Sequence, residues 1–228
     1  MMSRELRNPL AAIISGLSLL GVLVDEQKTK IARDIIVRQA NQLRRFVNDL
    51  LDISRITNNK IELKKEKVEL NKLAILVIED YKTLYENKGV KLKIETAESS
   101  IYLEADSTRI TQILSNLLHN SLKFTESGGE TVVSINKIND EAIICIIDNG
   151  CGIRPEDLPK LFKPFMQVDA SLDRKNAGLG LGLSIVKHMV ELHGGTVSIF
   201  SEGLKKGTQL IICLPLSINT KTEKEDNQ

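Results

Sequence analysis

Apolar residues in the first sixty positions recur at steps of three and four, the period of a helix with a narrow apolar seam. The first run is Leu6, Leu10, Ile13, Leu17, Leu20 and Val24, and the second is Leu43, Phe46, Leu50 and Ile53. With the polar segment 25–30 as the break between them, these runs predict an antiparallel helical hairpin that ends at Asn58 and Asn59. Because two helices cannot bury such a seam alone, we expect two copies to form a four-helix bundle. A coiled coil used only for dimerisation is the plainer alternative.

Beyond residue 60 the pattern changes to short alternating runs interrupted by amphipathic ones. Predicted strands occupy 68–70, 90–95, 101–105, 131–137, 142–147, 197–201 and 209–214. Predicted helices occupy 72–87, 107–122 and 182–192. Separate runs of strands and helices predict an α+β domain with a mixed, mainly antiparallel sheet covered by helices. We therefore expect a helical hairpin at 1–60, an α+β domain at 61–216 and a disordered polar tail at 217–228.

Composition narrows the class of function. The 228 residues carry a net charge of +1, which disfavours an electrostatic binder of nucleic acid or membranes. The longest apolar stretch, 10–24, is too short and too interrupted by serine and glycine to span a bilayer. The three cysteines lack metal-ligand spacing. An odd number cannot all pair within the chain and two of them lie in predicted strands, which indicates reduced thiols. We expect a cytoplasmic protein with no membrane contact by this fragment, and the cytosolic part of a larger membrane sensor fits the same pattern.

The first candidate site lies at the end of the predicted helix 107–122. Asn116 and Asn120 are four residues apart and share a helix face, and Lys123 follows one turn later. Amide oxygens are acceptable ligands for Mg²⁺, and a lysine supplies a point charge for phosphate. In isolation, Asn120 and Lys123 would suit a solvated helix end equally well.

The second candidate site follows the apolar run 143–147. Asp148 stands at the end of a predicted buried strand, where a carboxylate can accept a hydrogen bond from the amine of adenine. Gly150 and Gly152 permit a sharp turn and a close approach of the backbone to a ligand. Taken alone, these residues would indicate an ordinary turn.

The third candidate site is the glycine block Gly178-Leu-Gly180-Leu-Gly182, directly before a predicted helix. Free backbone N–H groups at a helix start can face phosphate. The block is neither a P-loop, since no Gly-Lys-Ser/Thr follows, nor a Rossmann motif, whose spacing differs. The long, charged segment between Gly152 and the block predicts a lid that closes over a nucleotide.

Three further sequence blocks belong with the three candidate sites. They are Leu161-Phe-Lys-Pro-Phe165, Gly207-Thr208 and Glu5-Leu-Arg-Asn-Pro-Leu10. Together with the three candidate sites, they resemble the N, G1, F and G2 boxes, the remaining glycine box and the phosphotransfer box of histidine protein kinases. The ATP-binding domain of that family has the Bergerat fold, which gyrase and mismatch-repair ATPases share. The resemblance covers nearly the whole chain, and the motifs are specific as a set.

The resemblance implies a role for each block, with ATP and Mg²⁺ as cofactors. Asn120 with Asn116 would hold Mg²⁺, Lys123 and Arg174 would contact phosphates, and Asp148 would recognise adenine. The other cofactor-binding positions that it implies are Gly150, Gly152, Phe162, Gly178, Gly180, Gly182 and Thr208. It also implies a homodimer through the hairpin and a response regulator receiver domain as partner.

Position 116 distinguishes the two branches of that superfamily. The ATPases carry a glutamate there, because hydrolysis needs a general base that activates water. Asn116 cannot accept that proton, so the resemblance favours the kinase branch and leaves a gyrase-like ATPase as the third interpretation.

The acceptor position departs from the family pattern. The family has a phosphate-accepting histidine directly before Glu5, where this chain has Arg4. A neutral imidazole offers a lone pair, whereas a guanidinium is always protonated and offers none. We therefore expect no self-phosphorylation at position 4. Glu5, which in the family orients or deprotonates the acceptor, lacks its substrate here, and Asn8 keeps the position that the family links to response-regulator dephosphorylation.

The remaining histidines do not replace the acceptor. All three, His119, His188 and His193, lie in the ATP-binding portion. We expect His119 to be a helix residue beside the pocket, and His188 and His193 to be helix-surface or helix-end residues. Three interpretations stay open: a kinase core that has lost its acceptor, a kinase that phosphorylates another chain as half of a heterodimer, and a non-catalytic ATP-binding regulator. The intact nucleotide motifs favour a histidine kinase core.

Overall fold

The computed structural model of the protein describes residues 2–20, 25–58, 60–167 and 178–217. The chain divides into two compact units, one of residues 1–61 with 161–185 and one of residues 62–160 with 186–228. None of the helices in the described ranges combines the length and apolar character that a membrane span needs.

The first unit contains the predicted helical hairpin. Helix α1 spans Met2–Leu20 and helix α2 spans Glu26–Thr57. The carboxylate of Asp25 caps α2, since it accepts the backbone N–H groups of Gln27 at 2.9 Å and Lys28 at 3.2 Å. The prediction of a polar break over 25–30 is therefore wrong after Asp25, because a capped first turn accommodates exposed polar residues. The predicted end is confirmed, since Asn58 is the C-cap.

The two helices of the hairpin approach closely at one glycine. A Cβ atom at Gly16 would lie 2.7 Å from Cγ1 of Ile36, so the backbones meet where α1 has no side chain. Phe46 is buried, whereas Leu10 and Leu17 of the predicted seam are 47% and 56% exposed. Val24 lies outside the described residues. The hairpin alone leaves part of its apolar seam uncovered, as expected for a seam that packs against a second copy.

The second unit has the predicted α+β architecture. Its elements are β1 (Glu66–Glu69), α3 (Leu70–Lys88), β2 (Lys91–Thr96), β3 (Tyr102–Ala105), α4 (Ser107–Phe124), β4 (Glu130–Ile138), β5 (Glu141–Asp148), β6 (Thr196–Phe200) and β7 (Thr208–Pro215). Helix α5 spans Gly182–Leu192, and its residues from Val186 onward belong to this unit. The predicted start of α4 is confirmed, because the carboxylate of Asp106 accepts the N–H of Arg109 at 3.1 Å.

A five-stranded sheet in the order β2-β4-β5-β7-β6 forms the layer on which the helices pack. The pair β2–β4 is parallel and the other neighbours are antiparallel, which confirms the predicted mixed, mainly antiparallel sheet. Strands β1 and β3 form a separate antiparallel pair. Alternate residues of the central strands are buried on one face: Val133, Ile135, Ile144, Ile146, Leu210, Ile212 and Leu214. This face holds the core, which α4 completes with Ile110, Ile113, Leu114, Leu117 and Leu118.

His193 connects the end of α5 to the start of α4. Its Nε2 accepts the backbone N–H of Asp106 at 3.1 Å, so the ring proton sits on Nδ1, which donates to the carbonyl of Met189 at 2.7 Å. The helix-end position predicted for His193 is confirmed, and the residue is only 5% exposed. Burial, with a smaller effect from Lys65, lowers the pKa of His193 below its ordinary value of 6.5, and the hydrogen bond to Met189 and the charge of Asp106 oppose this shift.

We predict that His193 makes the protein less stable in mild acid. Because its folded-state pKa is lowered, its contribution to stability is complete above pH 6.5 and is lost as the pH falls through the folded pKa. The variant His193→Gln should therefore show a shallower loss of unfolding free energy between about pH 7 and about pH 5, measured by urea unfolding.

The control for this test is His188→Gln, which removes a histidine from the same helix. Asp49 of α2, whose pKa burial raises to about 6, titrates in the same window but contributes equally to all three proteins. Identical pH slopes for wild type and His193→Gln would contradict the assigned role.

Candidate functional site

Helix α4 carries three of the predicted site residues away from the core. Its buried side consists of positions 110, 113, 114, 117, 118 and 121, which leaves Asn116, Asn120 and Lys123 on the other side of the helix. All three are half-buried. The helical spacing predicted from the sequence therefore holds, and α4 presents two amides and one ammonium group along about two turns.

The amide of Asn116 is the part of α4 that most clearly suits a ligand. Its Nδ2 atom is buried and has no hydrogen-bond partner among the described residues. A buried polar group without a partner is costly, and the amide can present either its nitrogen or its oxygen, since the two are assigned rather than observed. A phosphate oxygen would satisfy the nitrogen, and Mg²⁺ or one of its waters would satisfy the oxygen. The residues present on α4 thus fit a Mg²⁺-bound polyphosphate.

Asp148 ends β5 as a buried carboxylate that is only 7% exposed. Its Oδ1 accepts the backbone N–H of Gly150 at 3.0 Å. Burial raises the pKa of Asp148, and hydrogen bonds from the backbone of Gly150 and Thr208 and from the side chain of Ser121 oppose this rise. Such a carboxylate is a strong acceptor with fixed direction, which is what recognition of an amine requires.

A group of hydroxyls that the sequence analysis missed surrounds Asp148. The Oγ atom of Ser121 lies 2.6 Å from Oγ1 of Thr131, and both side chains are buried. Tyr85 hydrogen-bonds with the same two hydroxyls, and its OH donates to the carbonyl of Leu118 at 2.8 Å. The sequence signal for this group is the presence of polar residues at core-facing positions of α4 and β4. A polar side chain is tolerated at such a position only when it has a hydrogen-bond partner.

The turn after Asp148 lies against both α4 and β7. The N–H of Cys151 donates to the carbonyl of Phe124 at 3.0 Å, and the N–H of Gly207 donates to the carbonyl of Gly150 at 3.2 Å. Thr208 faces Asp148 across the β5–β7 pair. The second unit therefore brings together the end of α4, the Asp148 turn and the Gly207-Thr208 block, which are far apart in sequence.

Cys151 is exposed in this turn, but it is not an activated thiol. Partial burial and the nearby carboxylate of Asp148 both raise the pKa of the Cys151 thiol. The thiolate is the reactive form of cysteine, so this shift lowers its reactivity.

The glycine block and the F block contact each other within the first unit. The N–H of Phe165 donates to the carbonyl of Gly180 at 2.9 Å, and the side chain of Gln167 donates to the carbonyl of Gly178. Gly180 has a φ of 69°, and a Cβ atom there would lie 2.5 Å from the carbonyl oxygen of Met166. Phe162 is half-buried, and α5 begins at Gly182 as predicted. Arg174 lies outside the described residues.

The phosphotransfer block lies at the start of the hairpin. Position 4 belongs to α1, as do Glu5, which is half-buried, and Asn8, which is exposed.

Two family models match the chain, one over the N-terminal hairpin and one over the α+β region. The model described as His Kinase A (phospho-acceptor) domain matches residues 1–59. The model described as histidine kinase-, DNA gyrase B-, and HSP90-like ATPase matches residues 105–218. The chain belongs to the histidine kinase family. This assignment confirms the resemblance found in the sequence motifs.

Curated histidine kinases are similar to this one over almost its whole length. The autoinducer 2 sensor kinase/phosphatase LuxQ of Vibrio cholerae is 34% identical over 230 residues, which cover 97% of this chain and 26% of LuxQ. The sensor histidine kinase WalK of Bacillus subtilis is 34% identical over 230 residues, which cover 99% of this chain and 36% of WalK. This chain therefore spans only about a quarter to a third of the length of these relatives.

Solved structures share the fold. Full-length ShkA in complex with AMPPNP has a TM-score of 0.72 and 27% identity, with 94% of this chain and 44% of that chain covered. Histidine kinase ThkA in complex with response regulator protein TrrA has a TM-score of 0.67 and 24% identity, with 96% and 61% covered. Together with the family models, these likenesses confirm the predicted combination of a helical hairpin with an α+β Bergerat-type domain.

We predict that close packing of the turn after Asp148 makes Gly152 hard to replace. Gly152 has a φ of 66°, and a Cβ atom there would overlap the carbonyl oxygen of Gly203. The matched control is Gly128→Ala, because Gly128 has a φ of 87° and a Cβ atom there would have no neighbour within 4 Å. Gly128→Ala should lower the unfolding free energy by about 1–2 kcal/mol, the cost of a left-handed alanine, and Gly152→Ala should lower it further. Equal losses in urea unfolding would show that the overlap relaxes without cost.

Proposed function

We propose that this chain is the catalytic core of a sensor histidine kinase. It binds Mg²⁺–ATP and transfers the γ-phosphate to a protein histidine, from which a response regulator receives it. The observation that carries the proposal is the arrangement of Asn116, Asn120 and Lys123 on α4 beside the buried Asp148, in a chain of the histidine kinase family. The AMPPNP bound to the related ShkA supports an adenine nucleotide as the ligand.

Each end of the nucleotide has a counterpart in the second unit. Asp148 accepts a hydrogen bond from the exocyclic amine of adenine, and its direction is held by Gly150, Thr208 and Ser121. A Cβ atom at Gly150 would lie 2.4 Å from the carbonyl oxygen of Phe124, and one at Gly152 would overlap that of Gly203, so both glycines let the turn pack closely beside Asp148. On α4, Lys123 attracts the phosphates as a point charge. By family resemblance, Phe162, Arg174 and the glycines of the 178–182 block are nucleotide-binding residues as well.

Mg²⁺ is proposed to be held by Asn120 with Asn116. When bound, the ion neutralises phosphate charge that the transfer develops. Neutral amide oxygens suit this task, because Mg²⁺ keeps several waters and takes other ligands from phosphates. The unpartnered amide of Asn116 supports a ligand role at this position. Asn116 also lacks the basicity to activate water, which favours transfer over hydrolysis and places a gyrase-like ATPase third.

The acceptor is proposed to be a protein histidine other than position 4 of this chain. In the transfer, a neutral imidazole nitrogen attacks the γ-phosphorus, a nitrogen–phosphorus bond forms, and the bond to the bridging oxygen breaks to release ADP. Arg4 cannot supply the lone pair that this step needs. Glu5 would orient an acceptor at position 4 if one were present, and Asn8 stands where the family acts on the response regulator. A non-catalytic regulator or a heterodimer partner is the second candidate, and the arginine at position 4 is the observation that favours it.

A homodimer through the hairpin and docking of a receiver domain complete the proposal. Leu10, Leu17 and Leu51 are exposed on the hairpin by about half or more, and a second copy would cover them in a four-helix bundle. The complex of the related ThkA with the response regulator TrrA supports a receiver domain as the partner. As in the sequence analysis, we expect the chain to work in the cytoplasm.

We predict that Asn120→Ala weakens binding of Mg²⁺–ATP by roughly 10–100-fold, as expected for loss of a residue that holds the metal, and leaves adenosine binding nearly unchanged. Isothermal titration calorimetry with both ligands measures the two affinities. Gln112→Ala, two turns earlier on the same helix, is the control and should affect neither. Equal losses of Mg²⁺–ATP and adenosine affinity would contradict a metal role for Asn120.

We also predict that Arg4→His allows phosphorylation of the hairpin. Wild-type chain and Arg4→His chain, each incubated with γ-labelled ATP, should give label only on the histidine-bearing protein, and the label should be acid-labile, as phosphohistidine is. A mixture of the Arg4→His chain with the double variant Arg4→His/Asn120→Ala tests transfer between chains. An Arg4→His protein that binds ATP and takes up no label would contradict the kinase proposal and favour the regulator.

A further inference from the structure

Three side chains of helix α3 donate four hydrogen bonds to backbone carbonyls of α4. The OH of Tyr81 donates to Ser115 O at 2.9 Å, and the OH of Tyr85 donates to Leu118 O at 2.8 Å. The Nζ of Lys88 donates to Leu122 O at 2.5 Å and to Lys123 O at 3.0 Å. The three donors are spaced four and three residues apart, so they lie on one face of α3.

Lys88 differs from Tyr81 and Tyr85 in the kind of carbonyl group to which it donates. The carbonyls of Ser115 and Leu118 lie inside α4, where the helix itself provides partners. The carbonyls of Leu122 and Lys123 belong to the last turn, which ends at Phe124, and last-turn carbonyls have no partner within their helix. Lys88 therefore satisfies two terminal acceptors, and it does so with a cation at the negative end of the helix dipole.

The other two terminal carbonyls of α4 are also occupied. Ser121 O accepts the N–H of Thr125 at 3.0 Å, and Phe124 O accepts the N–H of Cys151 at 3.0 Å. Lys88 thus completes a set in which all four carbonyls of the last turn are held from different directions. The end of α3 is itself fixed, because Gly89 caps it in a left-handed conformation and accepts the N–H of Gly128 at 2.7 Å.

We infer that Lys88 is a positioning residue for the phosphate-binding Lys123. By holding the carbonyls of Leu122 and Lys123, it fixes the backbone that carries the Lys123 side chain. Lys88 acts through Lys123 and does not contact the nucleotide. This inference rests on the proposed nucleotide function of α4 and adds a residue that neither the motifs nor their spacing indicated.

The test compares ATP with adenosine, because only ATP uses the phosphate contacts. Calorimetric titrations in the presence of Mg²⁺ give the ratio of the two affinities for the full chain and its variants. Lys88→Met should lower ATP affinity by roughly tenfold and leave adenosine affinity unchanged. Lys88→Arg should restore most of the loss, since a guanidinium also donates to two carbonyls. Lys82→Met is the matched control, because Lys82 is an exposed lysine of the same helix paired with Glu79.

A double-mutant cycle with Lys123→Met separates positioning from general support of the fold. If Lys88 acts through Lys123, Lys88→Met should have no further effect on the ATP-to-adenosine ratio in the Lys123→Met background. A full additional loss in that background would overturn the inference, as would an equal loss of ATP and adenosine affinity. Should Lys88→Met unfold, Lys88→Gln, which keeps one amide donor, takes its place in the cycle.

Failure of the proposed function looks different. A wild-type chain that binds ATP no better than adenosine would overturn the nucleotide assignment of α4 itself. A wild-type chain with a clear preference for ATP that Lys123→Met removes and Lys88→Met leaves intact would overturn only the role of Lys88.

Discussion

The arrangement of the site in the second unit depends on hydrogen bonds to the four carbonyl groups at the C-terminal end of α4. A helix end is normally left to water, but here it is held by Lys88 of α3, by Thr125 and by Cys151 of the turn after β5. These contacts set the position of Lys123 relative to the Asp148 turn. The core beneath α4 cannot do this alone, because apolar contacts are non-directional and allow a helix to shift along its axis. Directed hydrogen bonds to the helix end remove that freedom.

The site also departs from the rules that govern the rest of the core. Asp148, Ser121 and Thr131 are polar and buried among Leu117, Leu118 and the central strands, where apolar residues would stabilise the fold more simply. Their hydrogen bonds offset much of the cost of burial, but the pKa of Asp148 stays raised. The amide of Asn116 keeps an unpartnered nitrogen. Local conflicts of this kind are typical of functional sites, where stability is given up for a ligand contact.

Local patterns in the sequence were sufficient to predict most of the helices and strands. The runs 131–137 and 142–147 predicted strands β4 and β5, and the helical pattern after the glycine block predicted α5 from Gly182, because these signals depend only on neighbouring residues. The α4 face was predictable for the same reason, since helical spacing alone places Asn116, Asn120 and Lys123 together. The start of α2 was not, because the sequence does not show whether a charged segment such as 26–30 forms a loop or a capped first turn.

Contacts between distant segments could not be predicted from the sequence. Lys88 and Lys123 are 35 residues apart, and nothing in an amphipathic helix marks which lysine will reach a backbone carbonyl. The burial of His193 similarly depends on Asp106, 87 residues earlier. The parallel pairing of β2 with β4 required knowing how α4 crosses between them. Candidate ligand-binding residues could thus be proposed from motifs, whereas the residues that hold them in place required the structure.

Hydrogen–deuterium exchange of the wild-type chain, with and without saturating Mg²⁺–ATP, tests the location of the nucleotide site most directly. We predict slower exchange of the backbone amides in peptides that cover residues 116–125 and 148–152, because these segments would line the bound nucleotide. The peptides of β1 and β3 should exchange at the same rate in both states and provide an internal reference. Unchanged exchange at 116–125 and 148–152, with nucleotide shown to be bound, would contradict the assignment of the site to α4 and the Asp148 turn.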